Sequence, residues 1–391
     1  MNKKKLIYFS IGVTVIGVGV LFWWLFWGRF EDFTRDAYVH GNQVSLTPQI
    51  SGYVSAIYVD ETEYVEEGQV LVTLDQTDNK ILFDKACANL GNTVRSVTAL
   101  FENVYTLAAI VREKEAEFIR AEIDYIDREA VVSSGAVSTE DYIHAKTTLS
   151  AAKSATEAAI FNLRKAISRV ENTTVKTHPL VLQAVEEVKW TYVNLQRCVI
   201  KAPASGIVAQ RGVQVGEAIS PSSQLLSIVP MDQIWVDANF KEIHMDKIRI
   251  GQDVSMISDF YGGGVVFRGK VVGIAGGTGA VFSPLPPQNA TGNWIKIVQR
   301  LPVRITVDES ILRKYPLRLG LSMNVTINIK DTAGLKVPLA TKIKNPLYET
   351  DIFSSQEDGV RKIIDGIFLT NETFHGMITE EVKALGNSHR K

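Results

Sequence analysis

The spacing of apolar residues changes several times along the chain, and each change marks a different kind of element. From Leu6 to Trp27 about 22 uncharged residues follow one another, enough at 1.5 Å per residue to cross ~30 Å of hydrocarbon. Between Pro48 and Asp75, in PQISGYVSAIYVDETEYVEEGQVLVTLD, Val, Ile and Tyr alternate with polar residues between glycines, which predicts short half-buried strands. From Ile81 the period lengthens. Leu90, Val94, Val97, Phe101, Val104, Ala108 and Val111 keep a strict 4-3 spacing, with Phe118 one heptad further. Glu, Lys and Arg occupy the other faces, so the stripe is a coiled-coil seam. A second seam runs through Leu149, Ala152, Thr156, Ala159, Leu163, Ala166 and Val170. Between them Gly135 breaks the helix, and Ser138 or Thr139 is placed to cap the next one.

The spacing therefore predicts an antiparallel helical hairpin over residues 76–198, too long to serve only as packing for a small β domain. Pro179 predicts a kink or break near Thr177–Pro179. Beyond it the apolar positions resume out of step at Val181, Val185, Val188, Tyr192 and Leu195.

After the hairpin the strand pattern returns as a near copy. Ser51–Val54 (SGYV) is echoed by Ser205–Val208 (SGIV), and Val65-x-x-Gly68-x-x-Leu71 by Val213-x-x-Gly216-x-x-Ile219. Two half-motifs, 40–75 and 199–230, each too small to bury its own face, are expected to clasp into one β domain, with Gly52, Gly68, Gly206 and Gly216 at turns. Past Pro230, strands rich in β-branched residues predict a small β-barrel over 231–331, with a short helix at Glu242–Ile248 and a long loop at Gly276–Asn293. The tail, 332–391, carries a helical signal at Gly359–Phe368 and no assigned role. The fold class is multidomain α+β.

Charge refines the picture at the N-terminus. Lys3, Lys4 and Lys5 precede the apolar run, and LFWWLFWGRF closes it with interfacial aromatics. A cleaved signal peptide would have a shorter apolar core and a small-residue cleavage site. Residues 1–30 are read instead as a retained anchor, spanning the bilayer through residues 6–27, with the N-terminus cytoplasmic and the bulk of the chain periplasmic. A formal net charge of -1 leaves no electrostatic footprint for nucleic acid. Cys87 and Cys198 have no metal-ligand spacing, and no disulfide is expected between them.

Enzyme-like strings fail on inspection. Gly264–Val271 has the skeleton of a phosphate loop, but Val271 stands where a magnesium-binding hydroxyl belongs and a strand follows. The glycines of GIAGGTGA do not open a helix, and no Gly-x-Ser-x-Gly elbow occurs. The histidines are scattered and are read as surface or cap residues. Neither catalysis nor a cofactor is expected.

The order of anchor, half-motif, hairpin, half-motif and barrel resembles the periplasmic adaptors, or membrane fusion proteins, of the HlyD/EmrA type. The most specific segments are RDAYVHGNQVSLTPQISGYV (Arg35–Val54), THPLV (Thr177–Val181), YVNLQR (Tyr192–Arg197), APASGIVAQRGVQVGE, NFKE (Asn239–Glu242) and PPQNATGNWIKIVQRLPVRI (Pro286–Ile305). The last is similar to the EmrA subgroup. The resemblance implies a lipoyl-like barrel-sandwich hybrid around the hairpin. It also implies a major-facilitator exporter in the inner membrane, a TolC-like channel in the outer membrane, and a homo-oligomer, trimer or hexamer. By the same resemblance Arg128, Val132 and Ser138 would contact the channel, although valine replaces the usual leucine. The hairpin seam is expected to rest on Leu90, Val97, Val104, Val111, Leu149 and Leu163.

Two other readings stay open. One is an adaptor for type I protein secretion. The other is a membrane-anchored lipoyl-like carrier or binding module, although Leu74–Asn79, where a carrier places its lysine, has none. The lipoyl-like DKA at Asp84–Ala86 falls in a helical stretch, so Lys80 and Lys85 are the only candidates for modification.

Overall fold

The computed structural model describes residues 3–26, 28–279, 281–282, 298–337, 346–373 and 378–387. Trp27 and most of the PPQNATGNWIKIV stretch lie outside them. The described helices are α1 (Lys3–Phe26), α2 (Thr77–Val132), α3 (Thr139–Ile167), α4 (Pro179–Gln196), α5 (Glu309–Lys314), α6 (Val360–Asn371) and α7 (Glu380–Asn387). The strands begin with β1 (Glu31–Thr34), β2 (Ala37–Gly41), β3 (Val44–Leu46), β4 (Gly52–Ile57), β5 (Tyr64–Val65) and β6 (Val70–Leu74). They continue after the hairpin with β7 (Val199–Lys201), β8 (Gly206–Arg211), β9 (Ala218–Ile219), β10 (Leu226–Val229) and β11 (Ile234–Lys241). The last four are β12 (Asp253–Ser258), β13 (Val266–Ile274), β14 (Arg300–Thr306) and β15 (Met323–Asn328). The chain divides into two compact units, Met1–Val72 with Ile200–Ile352, and Thr73–Val199 with Phe353–Lys391.

In the first unit the repeated phrases meet. Two four-stranded sheets have the orders β3-β10-β8-β5 and β7-β6-β4-β9, so each contains strands from both halves. Gly52 pairs with Ile219 and Tyr53 with Ala218, while Val65 pairs with Gly206 and Tyr64 with Ile207. Each half lends its short strand to the other half's long one, the reciprocity expected when neither can bury its face alone. Val54, Leu71, Val72, Val208, Val213, Leu226 and Ile228 are buried.

The rest of this unit is a seven-stranded sheet, β1-β15-β12-β13-β14-β11-β2. It closes on itself where Val39 donates to the carbonyl of Leu321 (2.9 Å), Gly320 donates to that of Val39 (2.8 Å), and Tyr38 bridges Ser322. Phe240, Met256, Phe267, Ile305, Val325 and Ile327 fill the barrel. Residues 31–39, unassigned by the sequence reading, supply β1 and most of β2, so the stretch just after the anchor is stitched into the barrel. The helix expected at Glu242–Ile248 is a 3-10 turn over Glu242–His244. Beyond it the chain runs through hydrogen-bonded turns, and Ile248 is buried in the barrel while Ile243 is exposed.

In the second unit, α2 has 56 residues and a length of about 84 Å at 1.5 Å per residue. It pairs with α3 and then α4. The chain between them turns through Ser168–Thr177, and α4 starts at Pro179, where a missing N–H costs nothing. His178 caps it: Nδ1 accepts from the amide of Leu180 (3.3 Å) while Nε2 reaches the carbonyl of Arg169 (3.1 Å). That pairing makes Nε2 the protonated nitrogen. The buried face of α4 is Val181, Ala184, Val188 and Thr191, rotated from the stripe read in the sequence because α6 packs against α4 as α2 does.

Candidate functional site

The hairpin, its tip and the clasp of the two half-motifs are the parts with functional potential. Along α2, Leu90, Val94, Val97, Phe101, Val104, Ala108 and Val111 are all fully buried. The returning helices bury Thr156, Ala159, Ile160, Leu163 and Ala166 on α3 and Val181, Ala184 and Val188 on α4, while Leu149, nearer the tip, is half-buried. Thr156 keeps the seam dry without an unpaired hydroxyl, because its Oγ reaches the carbonyl of Lys114 on α2 (3.1 Å) and that of Ala152 on its own helix (3.0 Å). Toward the tip the seam thins to Ala121 and Ala145, small residues that let the two helices approach closely.

At the tip, Gly135 takes a left-handed φ of 77°, a conformation open to glycine at little cost. Ser138 is the N-cap of α3: its Oγ accepts from the amide of Asp141 (3.1 Å) and donates to that residue's carboxylate (2.6 Å). Arg128 pairs with Asp124 (3.1 Å) and donates across the turn to the carbonyl of Asp141 (3.1 Å). Val132 is the last residue of α2 and half-buried. The structure thus gathers all three candidate contact residues at one end, and two of them already hold the tip together. A further cluster, absent from the sequence reading, braces the same end. Tyr125 stacks on Tyr142 at 5.6 Å between centroids and donates to Glu129 (2.6 Å). The hydrogen bond to Glu129, then that to Tyr142, pushes the Tyr125 phenol well above its ordinary range. Residues 17 apart across a turn carry no periodic signal, so only the folded tip reveals the pair.

In the clasp, the two half-motifs repeat down to single hydrogen bonds. Gln69 donates its amide to the carbonyl of Glu66 (3.1 Å) while its side chain accepts from the Glu66 amide (3.0 Å). Glu217 does the same to Gln214, at 3.2 and 2.9 Å. The intervening Gly68 and Gly216 have φ of 81° and 82°. Gly52 and Gly206 are not turn residues: they open β4 and β8, where the partner strand comes too close for a side chain at Gly206. Lys80 and Lys85 are exposed on the first turns of α2, so neither sits on the β-turn from which a carrier would present a lysine. Asp75 supplies that junction with a helix start instead, accepting from the amide (3.0 Å) and hydroxyl (2.7 Å) of Thr77. The Thr77 amide holds the Asp75 carboxyl below its ordinary range.

The tail joins the helical unit. Val360, Ile364 and Phe368 of α6, with Ile378 and Val382 near and on α7, are buried in the same core as the hairpin seam. α6 lies against α2 and α4, α7 against α3 and α2. Arg164 gives two hydrogen bonds to the carbonyl of Gly386 (3.0 and 2.9 Å), Arg95 one to Asn371 (2.7 Å), and Tyr192 one to the carbonyl of Asp358 (2.7 Å). Spacings of four at Val360, Ile364 and Phe368, and at Ile378 and Val382, are the signal that could have found this packing.

Cys87 and Cys198 are free, and burial pushes both thiols up, away from reactivity. Among the described residues no group of three His, Cys, Asp or Glu is arranged to hold a metal ion.

An apolar N-terminal helix, a clasped pair of half-motifs, a coiled-coil hairpin inserted between them and a closed β-barrel together define the architecture of a membrane fusion adaptor. The family model described as "EMRA, alpha-helical hairpin domain" matches residues 77–198. The chain is 40% identical over 375 residues to "Probable multidrug resistance protein EmrK" of Escherichia coli (strain K12), covering 95% of this chain and 96% of that one. It is 40% identical to "Multidrug export protein EmrA" of the same organism, over 91% of this chain and 90% of the other. It is 39% identical to "Fatty acid resistance protein FarA" of Neisseria gonorrhoeae, over 78% and 77% of the two chains. The chain belongs to the EmrA family of membrane fusion adaptors.

Proposed function

We propose that this protein is the periplasmic adaptor of a drug efflux pump, joining a major-facilitator exporter in the inner membrane to a TolC-like channel in the outer membrane. The observation that carries the reading is 40% identity over 95% of the chain to a protein named for multidrug resistance, on a chain whose longest element is a 56-residue helix with a dry seam. Residues 6–27 are the single membrane span, with the N-terminus in the cytoplasm. The domains follow the order anchor (1–30), first half-motif (40–75), hairpin (76–198), second half-motif (199–230), barrel (231–331) and tail (332–391). Several copies, as a trimer or hexamer, set their hairpins side by side, and the tip with Arg128, Val132 and Ser138 meets the channel. Transport draws on the exporter's proton gradient, so the adaptor's own contribution is mechanical and needs neither a catalytic residue nor a cofactor.

The test is crosslinking in living cells from a photoreactive residue at Val132 and another at Ile16, with identification of what is captured. Expected are an outer-membrane channel from the tip and a major-facilitator protein from the anchor. Capture of an ATP-binding exporter from the anchor would move the protein to type I secretion. An acyl or lipoyl adduct on Lys80 or Lys85 in intact-protein mass spectrometry would overturn the adaptor reading in favour of a carrier.

A further inference from the structure

The segment that follows the membrane span is short and firmly held. Four residues separate Phe26 from Glu31, three of them in a 3-10 turn over Gly28–Phe30. Fully extended they would reach no more than about 18 Å, and the turn, rising ~2 Å per residue, shortens that reach. The lipid headgroup layer itself occupies roughly 5–7 Å of this distance. Whatever is bound to residues 30–32 is therefore close to the lipid surface, whichever way the rest of the chain points.

Three contacts decide what is bound there. The carbonyl of Phe30 accepts from the amide of Ile329 at the end of β15 (2.8 Å). Asp32, buried on the inner side of β1, pairs with His244 Nδ1 at 2.9 Å, which fixes the 3-10 turn Glu242–His244 beside the first strand after the span. Gln252 then ties the segments together, donating from one amide nitrogen to the carbonyls of Asp331 (2.7 Å) and Lys247 (3.1 Å). One end of the barrel, made of residues 30–32, 241–249 and 329–331, is thereby tethered next to the bilayer.

That end has the chemistry of an interfacial surface. Ile243, neighbour to the clamped His244, is a large aliphatic side chain that is 73% exposed. Lys241 and Lys247 flank it in the sequence, and Lys330 follows the Phe30–Ile329 bond; all three are exposed and have stems long enough to lie along apolar surface with the ammonium at headgroup level. Of the acidic groups at this end, Asp246 is paired with Lys336 (3.1 Å), which holds its carboxyl below the ordinary range, and Asp32 is turned inward. Glu31, Glu242 and Asp331 stay exposed and equal the three lysines in number, so any attraction to anionic lipid comes from the reach of the lysine stems to the headgroups and not from a net positive charge. An exposed aliphatic residue with lysines at the same end of the barrel, an end bonded to the first residues after a membrane span, fits lipid headgroups with shallow insertion of the aliphatic tip.

We propose that the barrel docks on the surface of the membrane that holds the anchor, with Ile243 dipping into the headgroup layer and Lys241, Lys247 and Lys330 engaging anionic lipid. The docking rests on α1 spanning the bilayer and on no other part of the transport reading. It gives the adaptor a second point of attachment, so that the barrel's orientation is set by lipid as well as by the exporter.

The experiment uses the full chain, without exporter or channel, in vesicles of phosphatidylethanolamine and phosphatidylglycerol containing a shallow spin-labelled lipid. An environment-sensitive fluorophore is attached at Ile243→Cys, in a background with Cys87 and Cys198 changed to Ser, and in parallel at Val215→Cys, a similarly exposed site in the half-motif clasp. Strong quenching at 243 and little at 215 is expected. Lys241→Gln or Lys247→Gln should each lower the ratio of docked to undocked protein about fivefold, as should, more broadly, exchange of phosphatidylglycerol for phosphatidylcholine. Equal quenching at both sites, in protein that resists carbonate extraction, overturns the docking and leaves the anchor standing. Extraction of the protein by carbonate overturns both. Quenching at 243 that ignores lipid charge and both lysine variants removes the anionic-lipid part and leaves an apolar contact only.

Discussion

Arg211 in the second half-motif donates from Nε to the carboxylate of Asp60 in the first, at 2.9 Å. The Arg211 amide also donates to the carboxylate of Glu61 (3.0 Å), so a single residue holds two consecutive acidic residues of the turn that opposes it. The Asp60 carboxyl is held below its ordinary range first by the amide of Glu61 and then by the Arg211 guanidinium. A carboxyl depressed in the folded state lends stability above its unfolded pKa and loses it as pH falls through the depressed value. The contact therefore favours the clasp at neutral pH and fades in acid. In Arg211→Gln the Asp60 carboxyl should titrate at higher pH, read from its carbon chemical shift, and the first unit should open at a less acidic pH. An unmoved titration would show that the Glu61 amide alone sets it.

Gly206 tests the clasp sterically. A methyl group placed there would meet the carbonyl of Val229 on β10 and the side chain of Ile228, neither of which can yield without disturbing the β8–β10 ladder. Gly206→Ala should cost about 1–3 kcal/mol, the usual range for forcing an extra methyl into a packed site. Gly264→Ala, where the same methyl enters open space, is the control. The midpoint of denaturant unfolding, followed at Trp235, measures both. Equal midpoints would mean that β8 can shift, and with it the pairing of Gly206 and Val65 that closes the two halves.

The tail grips both sides of the break between α3 and α4, through α6 on α4 and α7 on α3, with α2 common to both. It acts as a splint across a discontinuity. Phe368 is almost wholly buried, so Phe368→Ala should cost about 3–5 kcal/mol. Arg164→Ala, which frees the Gly386 carbonyl, should cost about 1.5–3 kcal/mol, the range for a hydrogen bond with a charged donor. The sharper expectation concerns place. Amide exchange should quicken in α4 and in the Ser168–Thr177 turn far more than in α2 around Lys114, whose carbonyl takes a hydrogen bond from Thr156 of α3. Uniform quickening throughout the helical unit would remove the splint.

How much of this was legible in the sequence follows from the range of each interaction. Heptad spacing is local, so the burial of Leu90 through Val111 could be read along the chain, as could the break at Pro179. The clasp joins residues about 150 apart, yet it left a trace because both halves solve the same turn with the same Val-x-x-Gly pattern. Three things were not legible. The tail's partners are distant helices, and its four-residue spacing says that a face is apolar without saying against what. At the tip, Ser138 and Arg128 looked like docking residues by resemblance, but their bonds to Asp141 depend on a turn conformation that only the left-handed Gly135 creates. The role of β1 and β2 in the barrel was hidden for a related reason. They pair with strands more than 190 residues away, and short alternating segments next to an anchor do not announce which sheet they join.

The hairpin seam yields the most direct test of the mechanical reading. Val104 is fully buried, whereas its neighbour Asn103 is exposed. An aspartate at 104 would be an unpaired charge in a dry seam, at a cost of roughly 3–5 kcal/mol, relieved only in part if the group stays protonated. The same charge at 103 points to water and should cost little. Because α2 has α3 beside it at Val104 and the barrel folds from other residues, Val104→Asp should leave expression level and membrane retention intact while drug resistance is lost. Asn103→Asp should keep both. Protease sensitivity confined to α2 and α3 in the Val104→Asp protein would place the damage in the hairpin. Full resistance with that sensitivity would mean that export does not depend on an intact rod, and the adaptor would then have to work through its barrel alone.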